Sequence, residues 1–332
     1  MYHFFENIAK MKYVYLVLLL IVFSCGKNSE KPTSKPVDVP KFNSDSAYAF
    51  VQKQVDFGPR VPNTEAHERT AAYLESKLKS YGAQITVQSF KAPTVDGVTV
   101  DLKNIIASFK PEQQKRILLA SHWDTRPYAD KDSVKRDASF DGANDGASGV
   151  GILLEIARQL QSENPRAGVD IILFDGEDWG PKDNSTNRPA VANGWQDWWC
   201  LGSQYWSKNP HKAGYRAYFG ILLDMVGAGD ARFFREGTSM EYAPRVVDKV
   251  WSAASVLGYS DLFIAQDTHG LTDDHLFVNE NAKIPMIDIV QYDSRDGFGD
   301  YHHTTKDNMG VIDKGTLRAV GSTVLYVVFQ EE

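Results

Sequence analysis

VDIILFDGED, residues 169–178, is a short and nearly continuous apolar run that stops at Gly176 and an adjacent acidic pair, Glu177 and Asp178. Such a run has no polar face. As a strand it is buried on both sides, which is the situation of an inner strand in a mostly parallel sheet covered by helices. Two other segments share this form, ILLASHWD at 117–124 and YFGILLDMV at 218–226, and their acids Asp124 and Asp224 also follow the apolar residues. Between the first two runs, Ala147 to Leu160 has helical spacing. Strands alternating with helices imply crossover connections, so the chain is expected to be α/β, with a mostly parallel sheet flanked by helices on both faces.

Outward from this centre the pattern continues. A helix is expected from Ser44 to Phe57, stopped by Gly58-Pro59, and another from about Thr64 to Tyr81, stopped by Gly82. Ala83 to Phe90 and Val98 to Phe109 flank Asp96-Gly97 as a hairpin. Further helices are expected at Asp197 to Trp206, Tyr242 to Leu257 and Lys314 to Val328, with a strand at Pro285 to Val290. No internal repeat is present.

With 332 residues, 42% hydrophobic and 24% charged, the chain can bury a large core as one catalytic domain, placed at 43–332. Its net charge of -7, with no Lys/Arg cluster interleaved with aromatics, excludes a broad nucleic-acid surface. Met11-Lys12 followed by the apolar run Tyr13 to Phe23 fits a signal peptide over residues 1–24, with Met11 a normal opening for it, and is too short for a comfortable bilayer span. VFSC-G resembles a bacterial lipobox, which would make Cys25 the lipidated first residue of an exported lipoprotein, anchored in the membrane and facing the periplasm. Residues 25–42, rich in Lys, Ser and Pro, read as a disordered tether. With Cys25 lipidated only Cys200 remains, so no intramolecular disulfide forms.

The chemistry lies in His122, Asp124, Asp145, Glu177, Asp178, Asp224 and His303. A carboxylate or imidazole directly after a buried strand is expensive to place without a partner, so several converging at strand ends point to a metal or catalytic site. Zinc takes imidazole nitrogen and carboxylate oxygen, and a catalytic zinc keeps one position open. The set therefore reads as a zinc site with a general base beside it. DGANDGASGVG, residues 141–151, lacks the Lys-Ser/Thr ending and the spacing of a phosphate loop; its glycines allow a tight turn that presents Asp145.

SHWDT (121–125), DGANDGASG (141–149), FDGED (174–178), LLDMVGA (222–228), DDH (273–275) and YHHTTKDN (301–308) together resemble the zinc-dependent aminopeptidase superfamily, and within it the animal-type glutaminyl cyclases and their bacterial relatives. The resemblance runs from about residue 45 to the C-terminus. It implies a central twisted mixed sheet with flanking helices, and zinc ligands at Asp145, Asp178 and His303. It makes Glu177 the proton shuttle and Asp224 with Asp273 a hydrogen-bonded relay. Trp195, Phe298 and His302 are the implied ring-bearing residues around the substrate, with His302 standing where the animal enzymes commonly have Trp. Trp198, Trp199 and Trp206 are expected to be packing residues. His67, His211, His269 and His275 are expected to be surface or supporting groups, and Asp124 to orient His122 rather than bind metal.

The implied activity is conversion of the N-terminal glutamine of peptides or proteins to pyroglutamate with release of ammonia, with one zinc; the oligomeric state stays open, with monomer as the default. In two-zinc aminopeptidases the positions of His122 and Asp224 hold a second ion. Both residues are present, so ligand inventory alone leaves that alternative open. The doubled acid in DDH and the aromatic-rich segment after Glu177-Asp178 favour the cyclase. A catalytically inactive binding module of the same fold is a third reading, opposed by the retention of Asp145, Glu177, Asp178 and His303.

Overall fold

The expected inner strands do form the centre of the sheet. A computed structural model describes residues 38–331, apart from Asn164, Asn184 and residues 186–188. The signal-peptide reading, Cys25 and most of the tether lie outside the described residues. Among the described residues, no helix is long and apolar enough to cross a membrane.

In chain order the elements are α1 (Ser44–Val55), α2 (Glu65–Ser80), β1 (Gln84–Pro93), β2 (Thr99–Phe109), β3 (Arg116–His122), α3 (Ala147–Ser162), β4 (Gly168–Phe174), α4 (Leu201–Lys208), β5 (Phe219–Asp224), β6 (Phe233–Arg235), α5 (Gly237–Tyr242), α6 (Pro244–Val256), β7 (Phe263–Asp267), α7 (Asp274–Phe277), β8 (Met286–Val290), β9 (Tyr292–Asp293), β10 (Gly297–Phe298) and α8 (Lys314–Gln330). The main sheet has the order β1-β2-β4-β3-β5-β8. The β1–β2 hairpin and the β2–β4 pair are antiparallel, and β4–β3, β3–β5 and β5–β8 are parallel. The sheet is thus mixed and mostly parallel, as the apolar runs require.

Every residue of β3, β4 and β5 is buried. Alternate side chains serve opposite layers. Leu118, Ala120, Ile172, Phe174 and Leu222 pack with Trp206 of α4 and with Val278. The other face meets α3, which packs against α1 and α8. That approach is close enough that a Cβ on Gly149 would collide with the Leu223 carbonyl and the Ser121 hydroxyl.

Local signals set the boundaries. Asn43 accepts hydrogen bonds from the Asp45 and Ser46 amides and caps α1. Thr64 caps α2, whose last turn carries Lys77 and Lys79. Phe42 is already buried and packs on Gly321 of α8. Two expected helices differ. The one placed at Asp197 starts only at Leu201, because Cys200 is left-handed (φ 58°). The one placed from Tyr242 is divided at Ala243, and Pro244 opens α6 as its first residue. The parallel β6–β7 pair and the β9–β10 pair were not expected, since two to five residues are too few to show a period.

Candidate metal centre and its pocket

The parallel strands end along one edge of the sheet, and the turns beyond them bring the acids and histidines together. His122 closes β3, Asp145 lies in the turn before α3, Glu177 and Asp178 follow β4, and Asp224 closes β5. Asp273 caps α7, and His302 and His303 come from the loop after β10. His303 Nε2 is 3.2 Å from Asp178 Oδ1 and 3.7 Å from Asp145 Oδ2. Donors around a tetrahedral zinc, with bonds of roughly 2.0–2.2 Å, sit about 3.3–3.6 Å apart. Asp178 Oδ2 is buried and has no hydrogen-bond partner. His303 therefore stands at ligand spacing from both Asp145 and Asp178, and the three fit a zinc ion in donor type and unmet demand; His302 also offers a ring nitrogen within 4.8 Å of donors on Asp145 and His303. His122 Nε2 forms an adjoining cluster, 3.1 Å from Asp145 Oδ1 and 3.2 Å from Asp224 Oδ1.

Each ligand-bearing turn is fixed by a buried charge. The Asp124 carboxylate accepts the amides of Glu177 (3.1 Å) and Asp178 (3.2 Å) and lies 3.6 Å from His122 Nδ1. It therefore supports the acidic pair as well as the histidine. Asp307 accepts the amides of Asn144 (2.7 Å) and Asp145 (3.0 Å). Fully buried Arg60 donates to the carbonyls of Asp141, Gly142 and Trp123. Behind the Glu177 turn, Asp175 pairs with His67 Nε2 at 2.9 Å and accepts the Lys103 amide. Glu177 is further held by Cys200, whose amide donates to its carbonyl and whose thiol donates to Oε1 at 3.4 Å. Met225 and His303 sit in left-handed backbone, φ 48° and 55°, a conformation non-glycine residues keep only where the surroundings enforce it.

The electrostatics follow from burial. Desolvation pushes the Glu177 carboxyl well above the usual range; His122 opposes this, while Asp178 and Asp273 add to it. Asp178 is likewise raised by burial and by the facing Asp145. Burial pushes Asp224 up to about 7 against the pull of His122, and it raises Asp273 as well. Asp145 is the exception. Burial would raise it, but the hydrogen bond from His122 and the nearby His303 hold it below the usual carboxylate range. Burial and Arg126 push His303 down to about 3, leaving the neutral imidazole that a metal ligand must be.

These groups open onto a cavity of about 470 Å³, walled on its ring-bearing side by Trp198, Trp199, Phe298 and His302. Of the residues expected in the site, Glu177, Asp224, Asp273, Asp145, Asp178, Phe298, His302 and His303 all line it. His122 and Asp124 are buried beneath it. Trp195 does not line it, which corrects the expectation. It packs on Phe90, ring centres 6.3 Å apart, in a cluster with Leu102 and Leu201. Trp199 takes the wall position, stacked on His303 with centres 6.0 Å apart and planes 12° apart. The cause is local: Asp197 Oδ1 accepts the amides of Trp198 (2.7 Å) and Trp199 (3.3 Å), a side-chain turn that directs the chain so that both indoles face the cavity. Trp206 is core, as expected.

His67 and His275 are buried supports, His211 accepts from Trp206 Nε1, and His269 is exposed. Arg126, Asp130 and Lys131 also line the cavity, and sequence reasoning missed them. The signal for Arg126 was its place two residues after Asp124, directly beyond the SHWDT stretch.

A mixed sheet with carboxylate and imidazole clusters at its parallel strand ends defines a zinc-exopeptidase-like fold, and the chain belongs to peptidase family M28, whose model matches residues 104–328. Within that family it sits with the glutaminyl cyclases. It is 50% identical to a glutaminyl cyclase from Bacteroides thetaiotaomicron, solved bound to N-acetylhistamine, with a TM-score of 0.85 over 89% of this chain and 100% of that one. A zinc-dependent exopeptidase from Parabacteroides distasonis gives the same identity, coverage and TM-score. The glutaminyl-peptide cyclotransferase of Drosophila melanogaster is 25% identical over 286 residues, 78% of this chain and 73% of that protein.

Proposed function

We propose that the protein is a zinc-dependent glutaminyl-peptide cyclotransferase, an acyltransferase that closes the N-terminal glutamine of a peptide or protein to pyroglutamate and releases ammonia. The observation that carries this reading is the cavity itself. A ligand-spaced triad, a protonatable Glu177 and a ring-lined wall meet there, in a chain half-identical over its full catalytic region to a solved glutaminyl cyclase.

Asp145, Asp178 and His303 would hold the zinc, which when bound supplies Lewis-acid polarisation of the glutamine γ-carbonyl. The remaining work belongs to the chain. Trp199, Phe298 and His302 hold the side chain folded back, so that the α-amine faces the γ-carbon as a near-attack conformer. The amine nitrogen forms the new bond to that carbon, and the carbon's bond to the amide nitrogen breaks. Glu177 takes the proton lost by the amine and delivers it to the departing nitrogen, which leaves as ammonia. Asp273, within 4.8 Å of Glu177, and Asp224, on the same cavity wall, steady the positive charge on the amine as the proton moves.

The His122–Asp145–Asp224 cluster has the spacing for a second ion, so a two-zinc aminopeptidase is the rival. Mass spectrometry of a glutamine-initiated peptide incubated with zinc-loaded protein separates the two. Loss of ammonia alone, about 17 Da, is expected for the intramolecular aminolysis. Loss of the whole first residue would sink the cyclase reading and return Asp224 and His122 to a second zinc. Glu177→Gln should reduce turnover by at least about 10²-fold while leaving zinc content unchanged.

A further inference from the structure

Arg126 is fully buried, and a guanidinium in that position is costly unless its donors all find acceptors. They do. Nε and Nη2 form a fork onto Asp130, at 2.8 Å to Oδ1 and 2.9 Å to Oδ2. Nη2 also reaches the Pro181 carbonyl at 3.1 Å. Nη1 serves the Asp178 carbonyl (3.3 Å), Asp178 Oδ1 (3.4 Å) and the Gly180 carbonyl (3.4 Å). The guanidinium lies over the rings of Tyr128 and Trp199, 4.8 Å from each centre.

Its partner reaches the other side of the metal centre. Asp130 Oδ1 is 3.6 Å from His303 Nδ1, the imidazole nitrogen that does not face the ligand cluster, and Oδ2 accepts the Asp183 amide at 2.7 Å. The same segment grips the histidine loop elsewhere. The Lys131 amide donates to the His303 carbonyl, and the Asp132 carboxylate accepts the amide and hydroxyl of Thr305. One buried ion pair therefore touches two of the three candidate ligands, which arrive from loops 125 residues apart in the sequence. The comparable buried pair Arg116–Asp170, bound to Ser108 and Tyr215, touches none.

We infer that Arg126 and Asp130 are positioning residues for the metal centre: Asp130 orients the His303 imidazole and strengthens its Nε2 as a donor, while Arg126 fixes both Asp130 and the Asp178 carboxylate. The inference rests on the zinc reading above. A carboxylate behind a ligating histidine fixes its tautomer and raises its basicity, and loss of such a partner costs metal affinity 10–100-fold. Lysine cannot replace the arginine, because it lacks the fork that meets Asp130 and Asp178 together.

The test compares Asp130→Asn, Arg126→Lys and, as a matched control for the loss of a buried ion pair, Asp170→Asn. Three quantities are read: the zinc dissociation constant by competition with a chromophoric chelator, the visible spectrum of the cobalt-substituted protein, and the unfolding midpoint of the metal-free protein. Asp130→Asn should weaken zinc binding about 10–100-fold and shift the cobalt bands. Arg126→Lys should move both in the same direction by less. Asp170→Asn should lower the midpoint but leave zinc affinity within about twofold of wild type and the cobalt spectrum unchanged.

Zinc affinity within twofold of wild type in Asp130→Asn, or an equal loss in Asp170→Asn, overturns the inference. If Asp130→Asn does not fold, Arg126→Lys decides on the same criteria. Wild-type protein that binds zinc with these shifts but does not cyclise glutamine peptides would sink the cyclase reading and leave the positioning pair standing.

Discussion

Trp195 and Trp199 are the same residue four positions apart, and only one of them reaches the chemistry. Trp199→Ala should lower kcat/KM for a glutamine peptide by about tenfold, with most of the loss in KM, since it removes a wall of the pocket rather than a proton carrier. Trp195→Ala should leave kcat/KM within about twofold and show its cost in the unfolding midpoint, as the loss of a half-buried packing aromatic does. Equal kinetic losses in both variants would contradict the placement of the two rings. The acids and His303 were legible in the sequence because a charge after a buried strand has few bland explanations. The tryptophans were not, because an aspartate two residues earlier turns the chain and no hydrophobic period records that. Arg126 and Asp130 were hidden for a different reason: the carbonyls that satisfy the guanidinium lie more than 50 residues away at 178–181.

At the scale of elements, α3 begins without a side-chain cap. Its N-cap is Gly146, at φ 85°, and a Cβ there would lie 2.9 Å from His122 Cε1 and 3.0 Å from the Asp124 carbonyl. The start of this helix, the end of β3 and the turn carrying Asp145 are thus a single fitted unit. Gly146→Ala should destabilise the protein by about 2–3 kcal/mol, from left-handed backbone strain plus the collision, and denaturant unfolding would read it as a lower midpoint with an unchanged slope. The glycine-rich stretch announced a tight turn in the sequence; the identity of what it must avoid did not appear there. The central strands were equally legible as unbroken apolar runs. The small β6–β7 sheet was silent at three and five residues, and the break before α6 had a visible cause in Pro244 that a continuous helical period had masked.

For the molecule as a whole, one half-buried imidazole away from the metal centre contributes to the pH response. His211 accepts from Trp206 Nε1 and packs on Tyr215. Burial pushes it down to about 4; Asp170 opposes this, while Lys212 and Arg116 reinforce it. Between about pH 4 and the ordinary value near 6.5, the unfolded chain binds a proton that the folded chain refuses, so stability rises with pH across that window and is lost as pH falls through it. From pH 6.5 to pH 4 the His211 contribution to the unfolding midpoint of the metal-free protein is therefore lost, against the opposite contribution of the raised acids Glu177, Asp178, Asp224 and Asp273; His211→Gln should shift the slope of midpoint against pH toward greater stability at pH 4, and an unaltered slope would remove His211 from the response. The pocket carries a consequence of another kind. Among the described residues that line it, eight are carboxylates and two, Arg126 and Lys131, are cations. Burial holds four of those acids, Glu177, Asp178, Asp224 and Asp273, toward their neutral forms, so the charge of the wall depends on what enters it. A cation that binds there favours the ionised forms, and its arrival releases protons to solvent. Occupancy of the pocket and its state of protonation thus move together, and the buffer records one whenever the other changes.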